Sequence, residues 1–340
     1  MLLASGNDMM QEAQVIEEPP LFQTPQLRKP FIEANTREAT MYHLKNDCIV
    51  PVFSKDNEIT ISHNSFIEAT WECVTNMFRN ETVSEPDIRV SHVIKGRTPD
   101  AIHKSVKELN DADKTIYYER MMFCIEIPSI TEDICGNKLN LTIGGVRAYN
   151  NENLYSRKGL EKFKVFIGFK NMVCCNMCVS TDGLQDEIRV MNTSDLMAKI
   201  VELIVSYNAK KHLDLMRSFQ NYSLSESQFA QFIGKSRLYQ FLPSEQKKLL
   251  PQFLMTDTQI NLVARSYFHD GDFGVMEKGE DFGGMATGEL SIWKLYNLLT
   301  SANKSSYIDN FTERALNATH ISEGITRALQ GESSYDWFIG

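Results

Sequence analysis

The chain has 340 residues, 42% of them apolar and 23% charged, with 35 Lys and Arg against 44 Asp and Glu for a net charge of −9. That is enough chain for a sizeable core, in one large domain or two closely packed ones, and the acidic balance argues against a protein that holds polyanions by net charge alone. No apolar run is long enough to span a bilayer and the N-terminus lacks the regions of an export signal, so no membrane partner is expected.

Residues 1–30 contain Glu17, Glu18, Pro19, Pro20, Pro25 and Pro30 with little apolar periodicity, and read as a disordered tail. A helix-like segment at 37–45 follows, then an apolar run at 48–53, a turn at 54–57 and a strand at 58–62. Asn64 is the expected cap of a helix reaching about residue 78, with Phe66, Ile67, Ala69, Trp71, Val74 and Phe78 as its apolar content.

The middle is strand-rich. Segments 87–95, 115–127, 139–147, 162–169, 173–179 and 187–191 combine β-branched or aromatic residues with short turn signals, and a helix opened by Pro99 is expected at 99–109. Consecutive short strands favour an antiparallel meander. From Ser194, a candidate cap, the period becomes helical at 195–207, 225–241, 258–268, 290–301 and 308–329. A flexible Gly-rich acidic insert occupies 270–288.

The expected class is therefore α+β: a tail at 1–30, a domain at 31–193 with N-terminal helices and a central antiparallel sheet, and an all-α region at 194–340 packed on that sheet. The seven cysteines are an odd set without an export signal, which points to reduced thiols in the cytoplasm.

The most informative stretch runs from Arg147 to Val179. In the strand from Lys162 to Lys170 a period of two puts Phe163, Val165, Ile167 and Phe169 on one face, and Lys162, Lys164, Phe166 and Lys170 on the other. The first face reads as core, the second as a cationic ribbon carrying one ring. Between residues 89 and 170 there are 14 Lys and Arg against 10 Asp and Glu, so the middle is mildly basic within an acidic chain. Arg89, Lys95, Arg97, Arg147, Arg157 and Lys158 join the ribbon as candidate phosphate contacts, and Phe166 or Tyr155 as rings for stacking on unpaired bases. The bland alternative is a solvated lysine face that guards a sheet edge.

Other motifs nominate less. Cys174, Cys175 and Cys178 have part of a zinc spacing, but they fall in an expected strand with no second Cys pair, so buried strand cysteines are the preferred reading. A redox dithiol there lacks a helix N-terminus. His269, Asp270, Asp272, Glu280 and Asp281 fail the calcium-loop pattern, with Val275 where Gly is required. Gly234, Lys235 and Ser236 end like a phosphate-binding loop, but Phe229 stands where that loop needs Gly. Nothing nominates an enzyme, a cofactor or a resident metal.

Segments 31–35 (FIEAN), 48–62, 89–97 (RVSHVIKGR), 115–122, 161–181, 189–194, 255–263 and 293–308 carry a resemblance, over nearly the whole chain, to a family of unknown function encoded on conjugative elements of gut anaerobes. A looser resemblance links the chain to a broader phage- and plasmid-borne family. Its central Val-Cys-x-Asn is similar to Val173, Cys174 and Asn176, and its late Trp-x-x-Tyr-Asn with a following Thr to Trp293, Tyr296, Asn297 and Thr300. The chain departs from that family at Arg147, Ala148, Tyr149 and Asn150, where the family carries a His-Asp-Gly segment. The resemblance implies a setting of DNA maintenance, recombination or counter-defence. The leading expectation is a mobile-element protein binding single-stranded nucleic acid, with annealing or recombination as its role. The alternatives are a protein-interaction or counter-defence module with a protein partner, and a metal-dependent enzyme using the 270–281 loop. Homo-oligomerisation is compatible with each.

Overall fold

The computed structural model describes residues 29–48, 60–101, 103–149, 160–269, 289–332 and 334–340. Most of the expected tail, nearly all of the segment 48–59, and the insert 270–288 lie outside them. Strand β1 (Arg37–Glu38) and helix α1 (Met41–Asn46) precede helix α2 (His63–Met77). Strands β2 (Asp87–Arg97), β3 (Lys114–Ile134), β4 (Asn137–Ala148), β5 (Glu161–Asn171) and β6 (Met177–Val190) follow. Among the described residues the six form one sheet in the order β1-β2-β3-β4-β5-β6, each neighbouring pair antiparallel. This is the meander expected from consecutive strands, and the class is α+β.

The C-terminal part holds α3 (Thr193–Ser206), α4 (Ala209–Ser218), β7 (Ser223–Ser225), α5 (Glu226–Tyr239), α6 (Ser244–Lys247), α7 (Asp257–His269), β8 (Glu289–Ser291), α8 (Ile292–Asn303), α9 (Ile308–Leu329) and α10 (Asp336–Ile339). Side-chain caps fix the starts of α2, α3 and α5. Ser62 accepts from the Ser65 N–H at 3.2 Å and Asn192 from that of Asp195 at 2.9 Å, so α2 and α3 begin at these residues rather than at Asn64 and Ser194. Ser225 and Gln228 form a reciprocal capping box on α5.

Four expected elements are corrected. Segment 187–191 is not a separate strand, since β6 runs unbroken from Met177 to Val190. Arg37 and Glu38 pair with β2 instead of opening a helix. Segment 99–109 is not one helix: short 3-10 turns stand at Pro99–Ala101 and Val106–Glu108, with a third at Asp111–Asp113. Residues 172–174 form a turn, not a strand, because the Asn171 side chain accepts from the Val173 and Cys174 N–H groups and Cys175 adopts a left-handed φ of 57°.

The sheet is covered on both faces, which the period of two in β5 does not reveal. On one face Phe66 and Ile67 of α2 and Leu196 and Ile200 of α3 join Phe123, Ile143, Phe163 and Phe169 in the main core. On the other, Phe31 and Ile32 with Ile308, Phe311 and Ala315 of α9 bury Met122, Cys124, Val146, Phe166 and Val179. Two consecutive glycines of β4 make room for both layers. A Cβ on Gly145 would lie 2.3 Å from the Phe66 ring, and one on Gly144 2.5 Å from the Phe166 ring.

Candidate nucleic-acid interface

The expected cationic face of β5 is for the most part an inner face. Phe166 is fully buried under α9, so it is not a ring on which a base stacks in this fold. Lys164 donates to the Asp309 carbonyl at 2.7 Å and to the Glu313 carboxylate, both on α9. Lys170 is 4% exposed; its ammonium donates to Glu126 Oε1 at 2.7 Å and sits 5.7 Å from the Phe31 ring centroid. Burial pulls the Lys170 ammonium down, but the surrounding negative groups, Glu126 among them, outweigh that and leave it above its ordinary value. Asn140 holds the other Glu126 oxygen at 3.1 Å, so this buried pair is satisfied by protein groups.

Arg147 is likewise corrected from a phosphate contact to a core residue with no exposed surface. Its guanidinium donates to the Ile61 carbonyl and to Glu161, and lies between the rings of Tyr149 at 4.6 Å and Phe163 at 4.4 Å. Glu161 in turn accepts from the Ile61 N–H at 3.1 Å, so the pair clamps the chain just before α2. Beside it His63 stacks on Tyr149 at 4.5 Å and donates from Nε2 to the Tyr118 carbonyl at 2.8 Å. Burial, reinforced by Arg147, pushes the His63 imidazole down to about 3, so it is neutral. Sequence reading missed this cluster, because Ile61, His63, Tyr118 and Glu161 carry no shared motif.

Arg89 packs beside Asp87, whose carboxylate is 3.6 Å from its Nε. Lys162 faces Glu187 at 3.4 Å in an open groove of about 320 Å³, lined also by Lys164, Asp186 and Glu313. Two lysines against three carboxylates do not make a cationic groove. Arg157 and Lys158 lie outside the described residues, as do Tyr155 and the acidic loop at 270–281.

Lys95 is exposed and Arg97 half-buried near the far end of β2. The β3–β4 ladder ends at Arg120↔Ala148, whereas the β2–β3 ladder continues to Arg97↔Lys114. The two strands therefore run on as a ribbon, touched along β3 by a bridge from Cys48 to Ile116. Arg97 and Lys114 are direct cross-strand partners, a like-charge pairing that an isolated ribbon disfavours. Arg97 donates to the Lys104 carbonyl at 2.5 Å, Lys104 pairs with Asp113 and Lys114 with Asp111, each at 2.7 Å. Lys95 and Lys107 are exposed and have no ion pair among the described residues.

The two halves of the sequence fingerprint meet. Asn176, in the turn before β6, donates to the Asn297 carbonyl of α8 at 3.1 Å, and Lys304 donates to the Cys174 carbonyl. Asn297 and Thr300 bond back to the Trp293 and Tyr296 carbonyls of their own helix at 2.9 Å. The Tyr296 hydroxyl lies 3.1 Å from that of Thr319, which donates to the Val179 carbonyl at 2.6 Å. These residues dock the β5–β6 turn onto α8 and α9. Burial pushes the Cys178 thiol up to about 12 and raises that of Cys174. Among the described residues no group of three or more His, Cys, Asp or Glu gathers to hold a metal ion, and no helix is long and apolar enough to cross a membrane.

No curated protein and no solved structure matches the chain. A family model does, over residues 9–339: the DUF3871 family, described as "Domain of unknown function, B. Theta Gene description". With nearly the whole chain matched, the protein belongs to that family of unknown function.

Proposed function

We propose that the protein binds single-stranded nucleic acid in the cytoplasm, as a mobile-element protein with an annealing or recombination role. The observation that carries this reading is the β2–β3 ribbon, which extends beyond β4 and presents exposed Lys95 and Lys107, with no ion pair among the described residues, beside Arg97, while Asp113 and Asp111 hold Lys104 and Lys114. Two-stranded ribbons place side chains along a nucleic-acid backbone, and exposed cations supply salt-sensitive phosphate contacts. Tyr42, 73% exposed on α1, adds a ring for stacking on a splayed base; its neighbour His43 contacts Tyr118 of the ribbon. The resemblance to families borne by conjugative elements, phages and plasmids supports the setting. A labelled single strand shifted by the protein at low salt, and released as salt rises, tests the reading. The double variant Lys95→Glu, Arg97→Glu is expected to lose the shift.

A second reading, a protein-interaction module, has its own observation. Leu238, Phe241 and Leu249 are exposed by 59%, 81% and 82% around the junction of α5 and α6. Capture of one stoichiometric partner that resists nuclease and is lost with Phe241→Ser would favour it.

A further inference from the structure

Helix α1 and the residues just after it bring together a thiol, an imidazole and a carboxylate beside β3. Thr40 caps α1 by accepting from the His43 N–H at 3.1 Å, and buried Leu44 anchors the helix in the core. His43 and Asp47 stand one turn apart, with His43 Nδ1 2.8 Å from Asp47 Oδ2. Cys48 follows directly, held against β3 by its bridge to Ile116, and its Sγ lies 3.6 Å from His43 Nε2. The Tyr118 hydroxyl is 3.0 Å from the same nitrogen.

The atoms are in the order that base-assisted thiol chemistry requires. A carboxylate accepts the Nδ1–H, which fixes the tautomer with a lone pair on Nε2. Among the described residues that lone pair faces the Cys48 S–H and the Tyr118 O–H. Burial, with Asp47 adding to it and Arg37 opposing it, pushes the Cys48 thiol up to about 11. The sulfur therefore rests protonated at neutral pH, and its reactivity depends on a base within reach. His43 and Asp47 are partly exposed, at 30% and 55% of their side chains, so a small molecule approaches from solvent.

We propose that Cys48 is an acyl-accepting nucleophile, with His43 as its general base and Asp47 as the positioning residue, and that the site takes activated esters or thioesters. Cys48 Sγ attacks the carbonyl carbon while its proton passes to His43 Nε2. As the tetrahedral adduct collapses, the bond to the leaving oxygen or sulfur breaks, and the leaving group takes that proton from the imidazolium. The acyl group stays on Sγ as a thioester. Water then attacks it with His43 again as base, releasing the acid and restoring the thiol. The Tyr118 hydroxyl, which shares His43 Nε2 with the thiol, is released as a donor once that nitrogen is protonated.

The test is acetylation of the full chain by p-nitrophenyl acetate at neutral pH, with the acetyl group located by peptide mapping. Cys135 is the internal reference: it is exposed, donates to Gln220 Oε1 at 2.9 Å, and has no imidazole partner among its described contacts. Cys48 is expected to acetylate about tenfold or more faster than Cys135, although it is less exposed, and His43→Gln to remove that advantage with the melting transition retained. Asp47→Asn, at a more exposed position, is expected to reduce the ratio of the Cys48 to the Cys135 rate and to shift its pH profile, which a purely structural role does not do. A Cys48 rate no greater than that of Cys135, or one unchanged in folded His43→Gln and Asp47→Asn, would overturn the proposal.

Discussion

Arg147 and Glu161 form a fully buried ion pair that holds Ile61 by both its carbonyl and its N–H, tying the entrance of α2 to β4 and β5. Removing one partner leaves a desolvated charge. Arg147→Ala or Glu161→Ala is expected to cost about 3–5 kcal/mol in denaturant unfolding, and much less when both are replaced by apolar residues of similar volume. A loss below about 1 kcal/mol in either single variant would mean that the pair is not buried as described.

Acid sensitivity follows from two buried histidines. His63 is pushed down to about 3 by burial and Arg147, and His212 to about 4 by burial against a smaller opposing effect of Asp182. Unfolding returns both rings to their ordinary value near 6.5, so between that value and each folded one the unfolded chain binds more protons. Their neutral burial is without penalty above about pH 7, and stability falls as pH drops through that window. By pH 5 the loss is about 2 kcal/mol for each histidine, read as a falling urea midpoint. His212→Gln should show a shallower fall; equal slopes would count against the neutral buried state.

The second layer of the sheet makes a packing prediction. Phe166→Ala should destabilise by about 3–5 kcal/mol, as a large buried ring is deleted from under α9. Gly144→Ala should cost about 1–3 kcal/mol, because its Cβ would lie 2.2 Å from the Phe123 carbonyl oxygen. Thermal melts would expose the error if Phe166→Ala behaved as a surface substitution.

Asn176 links the β5–β6 turn to α8 through a single bond to the Asn297 carbonyl. Asn176→Ala is expected to cost about 1–3 kcal/mol and to speed amide exchange in the turn and the start of β6 before other regions. Uniform exchange across the chain would contradict a local dock.

Strands β2 to β5 and most of the longer helices were legible because their apolar periods are clean, whereas β1 was expected as the start of a helix and β6 as two separate strands. Helix α4 (Ala209–Ser218) was not, since His212, Leu213 and Met216 give only a narrow apolar stripe among Lys210, Lys211, Asp214 and Arg217. The candidate site was legible only in part. Lys162, Lys164 and Lys170 read as a solvent face because β5 alternates, yet the carboxylates that engage Lys164 and Lys170 lie 149 and 44 residues away. No local pattern announces such partners. The same holds for Cys48, where α1 is short, the spacing to His43 matches no motif, and Tyr118 arrives from another strand. Cys174 and Asn176 signalled their importance through resemblance, and their contacts with α8 supply a physical reason.

The most direct test is fluorescence anisotropy of a labelled single-stranded oligonucleotide at low and rising salt, comparing the unaltered protein with Lys95→Glu, Lys107→Glu and with Lys164→Met. The ribbon variant should lose binding with its melting temperature unchanged. Lys164→Met, which removes an anchor of α9, should melt earlier yet bind while folded, and binding by the unaltered protein should weaken steeply with salt. No binding at low salt, or binding that survives reversal of Lys95 and Lys107, would contradict the account.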